Sequence, residues 1–282
     1  MKLTILGSGS PEAYARRASS GYLVEIGADK ILFDCGGGVF DNLLRSGRFP
    51  SDITHIVFSH LHSDHMMDYA RLVHAAWDEG GAPIKVFGPA PIAAITEGYF
   101  GANGVMAHDL RARTELKPSQ DVWVARGGTL PRPWPAPEVT EIAPGECIEG
   151  DGWTIRSCEV PHAQPALTCM GFAVSDGTKK FTYSGDAGIC DALEKLCHGS
   201  DLLLHWCYRL DGQKADPAME AMTPAPSQIA EMAFRCQVKN LLLTHFRIQM
   251  DTDAKHTNAL NLMAHSFKGR IGIAEDLESY EI

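Results

Sequence analysis

His60, His62, Asp64 and His65 fall within six residues, in the string His60-Leu61-His62-Ser63-Asp64-His65. Imidazole nitrogen and carboxylate oxygen suit zinc, and also iron or manganese. A solvated polar loop has no need of these four groups at this spacing. One short segment is poorly placed to wrap a single ion with all of them. His60 and His62 alternate to one side, while Asp64 and His65 come a turn later, which predicts two adjacent ions.

The elements that must position these groups follow from the neighbouring residues. Ile56-Val57-Phe58 precedes the cluster. It alternates poorly and is rich in branched side chains, the pattern of a buried strand. A two-metal site needs further ligands, and three later residues sit at the ends of expected strands. His162 follows Val160-Pro161, Asp186 follows Ser184-Gly185, and His245 follows Leu243-Thr244. Gly185 lets the backbone turn sharply. Alone, a histidine after a strand is usually an ordinary polar residue, and Asp after Gly a turn residue. In a chain that already holds the cluster, the three read as ligands, with Asp186 able to bridge. Asp34, at another strand end, is expected to accept a hydrogen bond from a ligand histidine and not to bind metal. His74 and Trp77 share a helix face and are candidates for the pocket lining.

Strands are expected over residues 3–6, 22–26, 30–33, 53–59 and 85–87, and again over 153–159, 170–175, 180–184, 201–205 and 240–244. Helical spacing marks 39–44, 66–77, 92–99, 226–234 and 256–266. Strands with helices in both halves predict two face-to-face sheets with helices outside, in a single domain over 1–282. Residues 100 to about 140 stand apart. The run Pro131-Arg132-Pro133-Trp134-Pro135-Ala136-Pro137 opposes regular structure, so an irregular surface insertion is expected there, as a lid or a dimer contact.

The chain has 282 residues, 45% of them hydrophobic, enough for a substantial core. Its net charge of −10, with no block of lysine or arginine, lacks the footprint of a protein that grips a phosphate backbone. A small-molecule substrate is therefore expected before nucleic acid, although a local basic pocket could hide in the total. Eight scattered cysteines form no CxxC pair and suggest a reducing compartment. No secretory leader opens the sequence, and no apolar run reaches the ~18 residues of a membrane span. The expectation is a cytoplasmic protein with no membrane partner.

In order along the chain, the HxHxDH string, Val160-Pro161-His162, Ser184-Gly185-Asp186 and Leu243-Thr244-His245 resemble the metal motifs of the metallo-β-lactamase superfamily. Ile5-Leu6-Gly7-Ser8-Gly9-Ser10, Leu32-Phe33-Asp34-Cys35-Gly36 and Asp201-Leu202-Leu203-Leu204-His205 are similar to the ribonuclease Z-like branch. The resemblance implies an α/β fold, an αββα sandwich of two mixed sheets flanked by helices. It implies two Zn2+ ions, with Mn2+ or Fe2+ as substitutes. His60, His62 and His162 would hold one, Asp64, His65 and His245 the other, and Asp186 both. A homodimer is a common arrangement in the family. Two departures stand out. The tRNA-processing enzymes continue the strand matching 201–205 into His-Glu-Ala-Thr, where this chain has His205-Trp206-Cys207-Tyr208. They also carry His-Ser-Thr before the next helix, where this chain has Met222-Thr223-Pro224. Together these imply a dinuclear metal-dependent hydrolase using a metal-bridging hydroxide, with Asp64 accepting its proton. An ester, lactone or amide is the first expected target, and a phosphodiester or a precursor tRNA the alternative. His205, at the position of the family's motif histidine, is the candidate proton donor to the leaving group.

Overall fold

The computed structural model describes residues 1–282. The chain builds two seven-stranded sheets. The first contains β1 (Lys2–Gly7), β2 (Gly21–Ile26), β3 (Asp29–Phe33), β4 (His55–Val57), β5 (Lys85–Gly88) and β6 (Glu138–Glu141). The second contains β7 (Cys147–Gly150), β8 (Trp153–Glu159), β9 (Met170–Ser175), β10 (Lys180–Tyr183), β11 (Leu202–Trp206), β12 (Asn240–Thr244) and β13 (Arg270–Ile273). The last strand, β14 (Ser279–Glu281), returns to the first sheet beside β1. Both sheets are mixed: β3 to β6 run parallel in one, and β10 to β13 in the other.

Strand side chains alternate between faces, and here both faces are apolar. Leu3, Ile5, Tyr22, Val24 and Phe33 point inward, where they meet Phe172, Val174, Phe181 and Leu204 of the second sheet. The rings of Phe33 and Phe172 lie 5.7 Å apart across this seam. The alternate residues Leu6, Leu23, Leu32, Ile56 and Phe58 point outward into a second core. Over them lie α1 (Val39–Arg45), α2 (Ser63–Met66), α3 (Tyr69–Asp78) and α4 (Ile92–Phe100). The poor alternation of 56–58 thus has its cause in burial on both sides. The helix expected over 66–77 is interrupted, because Asp68 turns its carboxylate back to the backbone N–H groups of Gly38 and Phe40.

The insertion departs from the irregular structure expected of it. It holds α5 (Ala107–Glu115) and α6 (Lys117–Ala125). The proline run begins only at 131, and Pro118 sits in the first turn of α6, where its missing N–H has no partner to lose. Arg132 locks the segment down. Its guanidinium lies between the rings of Trp77 and Trp123, at 3.7 and 4.2 Å, and reaches Asp78 at 2.8 Å.

The outer face of the second sheet is covered by α7 (Asp191–Cys197), α9 (Pro226–Arg235) and α10 (Asp253–Ser266), with α8 (Pro217–Met222) standing over the site. The layers therefore run helix, sheet, sheet, helix. No helix is long and apolar enough to cross a membrane.

Candidate active site

The cluster leaves the parallel edge of the first sheet just past β4, and Asp186 and His245 leave the second just past β10 and β12. Ends of parallel strands are where open α/β sheets place their ligands. His62 is extended and precedes α2, whose first turn presents Asp64 and His65. Gly36 lets this turn come close, since a Cβ there would meet the Asp64 carbonyl oxygen at 2.1 Å. Gly185 adopts φ +62°, and a Cβ on it would meet the Met170 carbonyl at 2.4 Å. Asp34 and His245 take positive φ without being glycine, at 57° and 67°. Such conformations cost about 1–3 kcal/mol and persist where the surroundings enforce them.

The structure brings all seven expected ligands around one cavity edge. His60 Nε2 lies 3.0 Å from His62 Nδ1, and His162 Nε2 lies 3.3 Å from the same atom. His245 Nε2 is 3.2 Å from both Asp64 Oδ2 and Asp186 Oδ2. His65 Nε2 is 3.5 Å from Asp64 and 3.6 Å from Asp186. Asp186 Oδ2 also faces His162 Nε2 at 3.7 Å. Tetrahedral zinc with ordinary Zn–N bonds spaces its ligand atoms about 3.3 Å apart, so the histidine trio has the spacing of a cation's shell. Two buried atoms at the centre, His65 Nε2 and Asp186 Oδ1, have no hydrogen-bond partner. A buried polar atom left so is expensive, and a divalent cation would satisfy both. The donor set of imidazoles and carboxylates fits zinc, manganese or iron.

Behind the ligands, Asp34 is fully buried. Its Oδ1 accepts from the Ser59 N–H at 2.8 Å. Its Oδ2 accepts from Ser59 Oγ, the Tyr183 hydroxyl and His65 Nδ1, each at 2.8 Å. Ser59 Oγ, its proton given to Asp34, is then free to accept from His60 Nδ1 at 3.0 Å. One carboxylate thus sets the tautomers of His60 and His65, turning both Nε2 lone pairs toward the cavity. Asp34 accepts the hydrogen bond expected of it, and Tyr183, which spacing in the sequence could not connect to it, joins the two sheets at this point.

The charges are strongly coupled. Burial works against ionising Asp186, yet His245 and His65 hold its carboxyl well below the usual range. Burial likewise opposes a proton on His65, but Asp186 and Asp34 raise its pKa well above that of a free histidine. Burial depresses His60, with His65 adding to the effect. Asp64 is held low against its own burial by the hydrogen bond from His245.

The cavity itself, of about 230 Å³, is lined by His62, Asp64, His162, Asp186 and His245. Pro11, Trp206, Tyr208, Met219, Met222 and Thr223 complete the lining. Pro11 arrives because Phe246 N–H donates to Ser8 O, tying the N-terminal loop to the segment after β12. Trp206 packs edge-on against His162 and His245, with ring centres 5.1 and 5.5 Å away. Its indole N–H is given to Ala187 O.

His205 is not brought to this cavity. It is fully buried, and its Nδ1 pairs with Trp206 O at 2.8 Å. Burial lowers its pKa to about 4. The proposed proton donor has no contact with the space a substrate would fill. His74 and Trp77 also lie elsewhere, holding the insertion through Asp109 and Pro133 O. Cys169 and Cys207 are buried and burial pushes both thiols up, so neither is an activated nucleophile. The apolar wall escaped sequence reasoning; only the period-two rhythm of Leu202, Leu204 and Trp206 hints that Trp206 faces inward.

Comparison with known proteins agrees with this geometry. The beta-lactamase superfamily domain matches residues 29–246, and the chain belongs to that superfamily, as a metal-dependent hydrolase. Ribonuclease Z of Mycobacterium bovis is 28% identical over all of this chain and 98% of its own length. The metallo-beta-lactamase fold protein YhfI of Bacillus subtilis superposes with a TM-score of 0.74 at 20% identity, covering 99% of each chain. The short form of human tRNase Z gives 0.70 at 21% identity, covering 100% of this chain and 99% of its own.

The full-length kinship with ribonucleases Z overturns the expectation that a small molecule takes precedence over nucleic acid. That expectation came from the net charge. A total of −10 says nothing of where the 25 lysines and arginines lie, and a strand of RNA meets only the local field.

Proposed function

We propose that the protein is a dinuclear metal-dependent phosphodiesterase that cleaves RNA in the manner of ribonuclease Z, on the 3′ side of a precursor tRNA. The observation that carries this reading is the end-to-end similarity to ribonuclease Z combined with seven convergent ligand side chains. His60, His62 and His162 would hold one divalent cation, Asp64, His65 and His245 the other, and Asp186 would bridge. Two such cations, when bound, acidify a shared water and offset the charge that develops on the phosphate.

The protein's own residues supply the rest. Asp64 lines the cavity; its Oδ2 faces His245, while Oδ1 makes no hydrogen bond within the protein. It is placed to orient an attacking water and accept its proton. Among the other lining residues, the Trp206 N–H and the Thr223 hydroxyl are already committed to Ala187 O and Met219 O. Tyr208 lines the cavity and its hydroxyl makes no hydrogen bond within the protein, so it is our candidate to protonate a leaving oxygen.

Zinc-loaded protein incubated with a 3′-extended precursor tRNA and, separately, with bis-p-nitrophenyl phosphate tests the reading. Endonucleolytic release of the 3′ trailer is expected. Turnover of the aryl phosphodiester with the precursor left intact would refute RNA as the substrate.

A further inference from the structure

A groove of about 540 Å³ adjoins the active cavity and shares Tyr208, Met219 and Thr223 with it. Its lining includes Arg209, Lys214 and Arg247, with Asp216 as the lone carboxylate. The Asp216 side chain is occupied in capping α8 through the N–H groups of Ala218 and Met219. The lining thus carries three cations to one carboxylate, with Glu12 pairing Arg247 at 3.1 Å and Glu220 pairing Arg209 at 3.9 Å.

Its three cations are not equivalent. Arg209 is spent on structure, giving its N–H groups to Thr223 O, Gln213 O and Gln228 Oε1. It pins the loop that carries Lys214. Arg247 is held in place and yet open. Its guanidinium stacks over the Tyr208 ring at 4.7 Å, and Tyr208 stacks in turn on Trp206 at 5.6 Å. Its Nε is fixed by Glu12 at 3.1 Å, while both terminal nitrogens lack any partner in the protein. Lys214 makes neither a hydrogen bond nor an ion pair, so nothing in the fold neutralises it. A planar guanidinium locked at its rear with its fork free is suited to a bidentate phosphate.

We propose that Arg247 and Lys214 form a phosphate-binding subsite for the RNA strand, gripping a backbone phosphate beside the scissile one. The proposal rests on the RNA-cleaving reading above and specifies where the strand leaves the metal cavity. Arg247 lies one aromatic ring beyond His245, since Tyr208 stands 6.1 Å from that imidazole. A strand whose scissile phosphate meets the ligands would pass directly over it.

The test measures binding to the zinc-loaded full chain by fluorescence anisotropy. The probe is a labelled oligouridylate with cleavage-resistant phosphorothioate linkages, titrated at several salt concentrations. Lys214→Ala and Arg247→Gln are each expected to weaken binding about tenfold. Each should also flatten the slope of log Kd against log salt by about 0.7, the value for one lost contact on a single strand. Lys268→Ala, at the far end of the parallel strands, should change neither. Zinc content is measured for each variant. Lys214→Ala keeps the test decisive even if Arg247→Gln disturbs its neighbour His245, because Lys214 is exposed and makes no hydrogen bond or ion pair that the change could break. Unchanged slopes in Lys214→Ala, or an equal change in Lys268→Ala, would overturn the subsite. If wild type cleaves precursor tRNA while the slopes stay unchanged, only the subsite is lost. If wild type neither cleaves nor binds RNA, the functional reading and the subsite both go.

Discussion

Replacing Asp34 with asparagine should weaken both metal positions at once, although Asp34 touches neither. The carboxylate accepts four hydrogen bonds and has nothing to donate. An asparagine can keep its carbonyl toward the Ser59 N–H. Its NH2 then faces Ser59 Oγ, the Tyr183 hydroxyl and His65 Nδ1, three groups that had been donors. The hydroxyls can rotate to accept. His65 can accept only by moving its proton to Nε2, the atom it must offer to a cation. Ser59, once it accepts from the amide, can no longer be relied on to hold the His60 Nδ1 proton. Loss of such an orienting partner costs about 10- to 100-fold in metal affinity, or about 1.4–2.7 kcal/mol.

Stability should fall as well. Charge-assisted hydrogen bonds contribute about 1.5–3 kcal/mol each. Weakening two of them gives about 3 kcal/mol, and a chain of this size loses about 2–4 °C of Tm per kcal/mol. The assay is competition with a chromophoric zinc chelator, alongside thermal unfolding with and without zinc. Tyr183→Phe separates the two effects, because it removes one donor and leaves both tautomers fixed. It should lower Tm by a few degrees and leave zinc affinity within about threefold. An Asp34→Asn protein that bound two zinc ions with wild-type affinity would refute the tautomer argument, whatever its Tm.

Three further perturbations have definite signs. In the metal-free protein His65 has a raised pKa and carries a proton near neutrality. Its ion pairs with Asp186 and Asp34 stabilise the apoprotein fully below the unfolded histidine pKa and are lost as pH rises through the raised one. Zinc must displace that proton, so calorimetry at pH 7 should show proton release, through a binding enthalpy that depends on the buffer, and affinity should weaken as pH falls; a buffer-independent enthalpy would contradict this. His205 behaves oppositely: with its pKa at about 4, the unfolded chain binds a proton between pH 6.5 and 4 that the folded chain refuses, costing up to about 3 kcal/mol across that window. His205→Gln should remove that acid sensitivity in urea unfolding at pH 7.5 and 4.5 while retaining full zinc content, and equal losses in both proteins would count against the assignment. Arg132→Ala removes the guanidinium between Trp77 and Trp123, a desolvated stack contributing about 2 kcal/mol; limited proteolysis within 117–137 should accelerate roughly tenfold, and an unchanged digestion pattern would show that the insertion is held by other contacts.

The convergence of the seven candidate ligands was legible because the spacing of four of them is local and their chemistry unusual. His60 to His65 lie on one turn-and-strand segment, and Asp186 and His245 follow runs of aliphatic residues that could only be buried strands. The face-to-face sheets were legible for the same reason: a strand apolar on both faces, such as Leu241-Leu242-Leu243, needs cover on both sides. What escaped depends on contacts between distant residues. Nothing near Arg132 announces that two tryptophans will enclose it, and nothing near Tyr183 announces Asp34. The helices at 107–125 were hidden by attention to prolines that lie after them. The charge argument failed because it summed over the chain a quantity that acts locally, while Arg247 and Lys214 converge from separate loops.

The parity of one strand decides which side chain meets the substrate. Along β11, Leu202 and Leu204 face the seam between the sheets, while Leu203 and then Cys207 face the helices. Period two assigns His205 to the helix side and Trp206 to the cavity. A reading guided by residue type selects the histidine, since imidazoles transfer protons and indoles do not. The backbone selects the tryptophan, because a shift of one residue turns every side chain over. The consequence is chemical. The position that projects toward the ligands carries an indole whose N–H is already bonded, and Met222 on α8 adds a thioether with no proton to give. Among these lining residues the candidate general acid therefore narrows to Tyr208, whose ring also supports Arg247, so the group proposed to bind the neighbouring phosphate and the group proposed to protonate the departing oxygen are held by one stack.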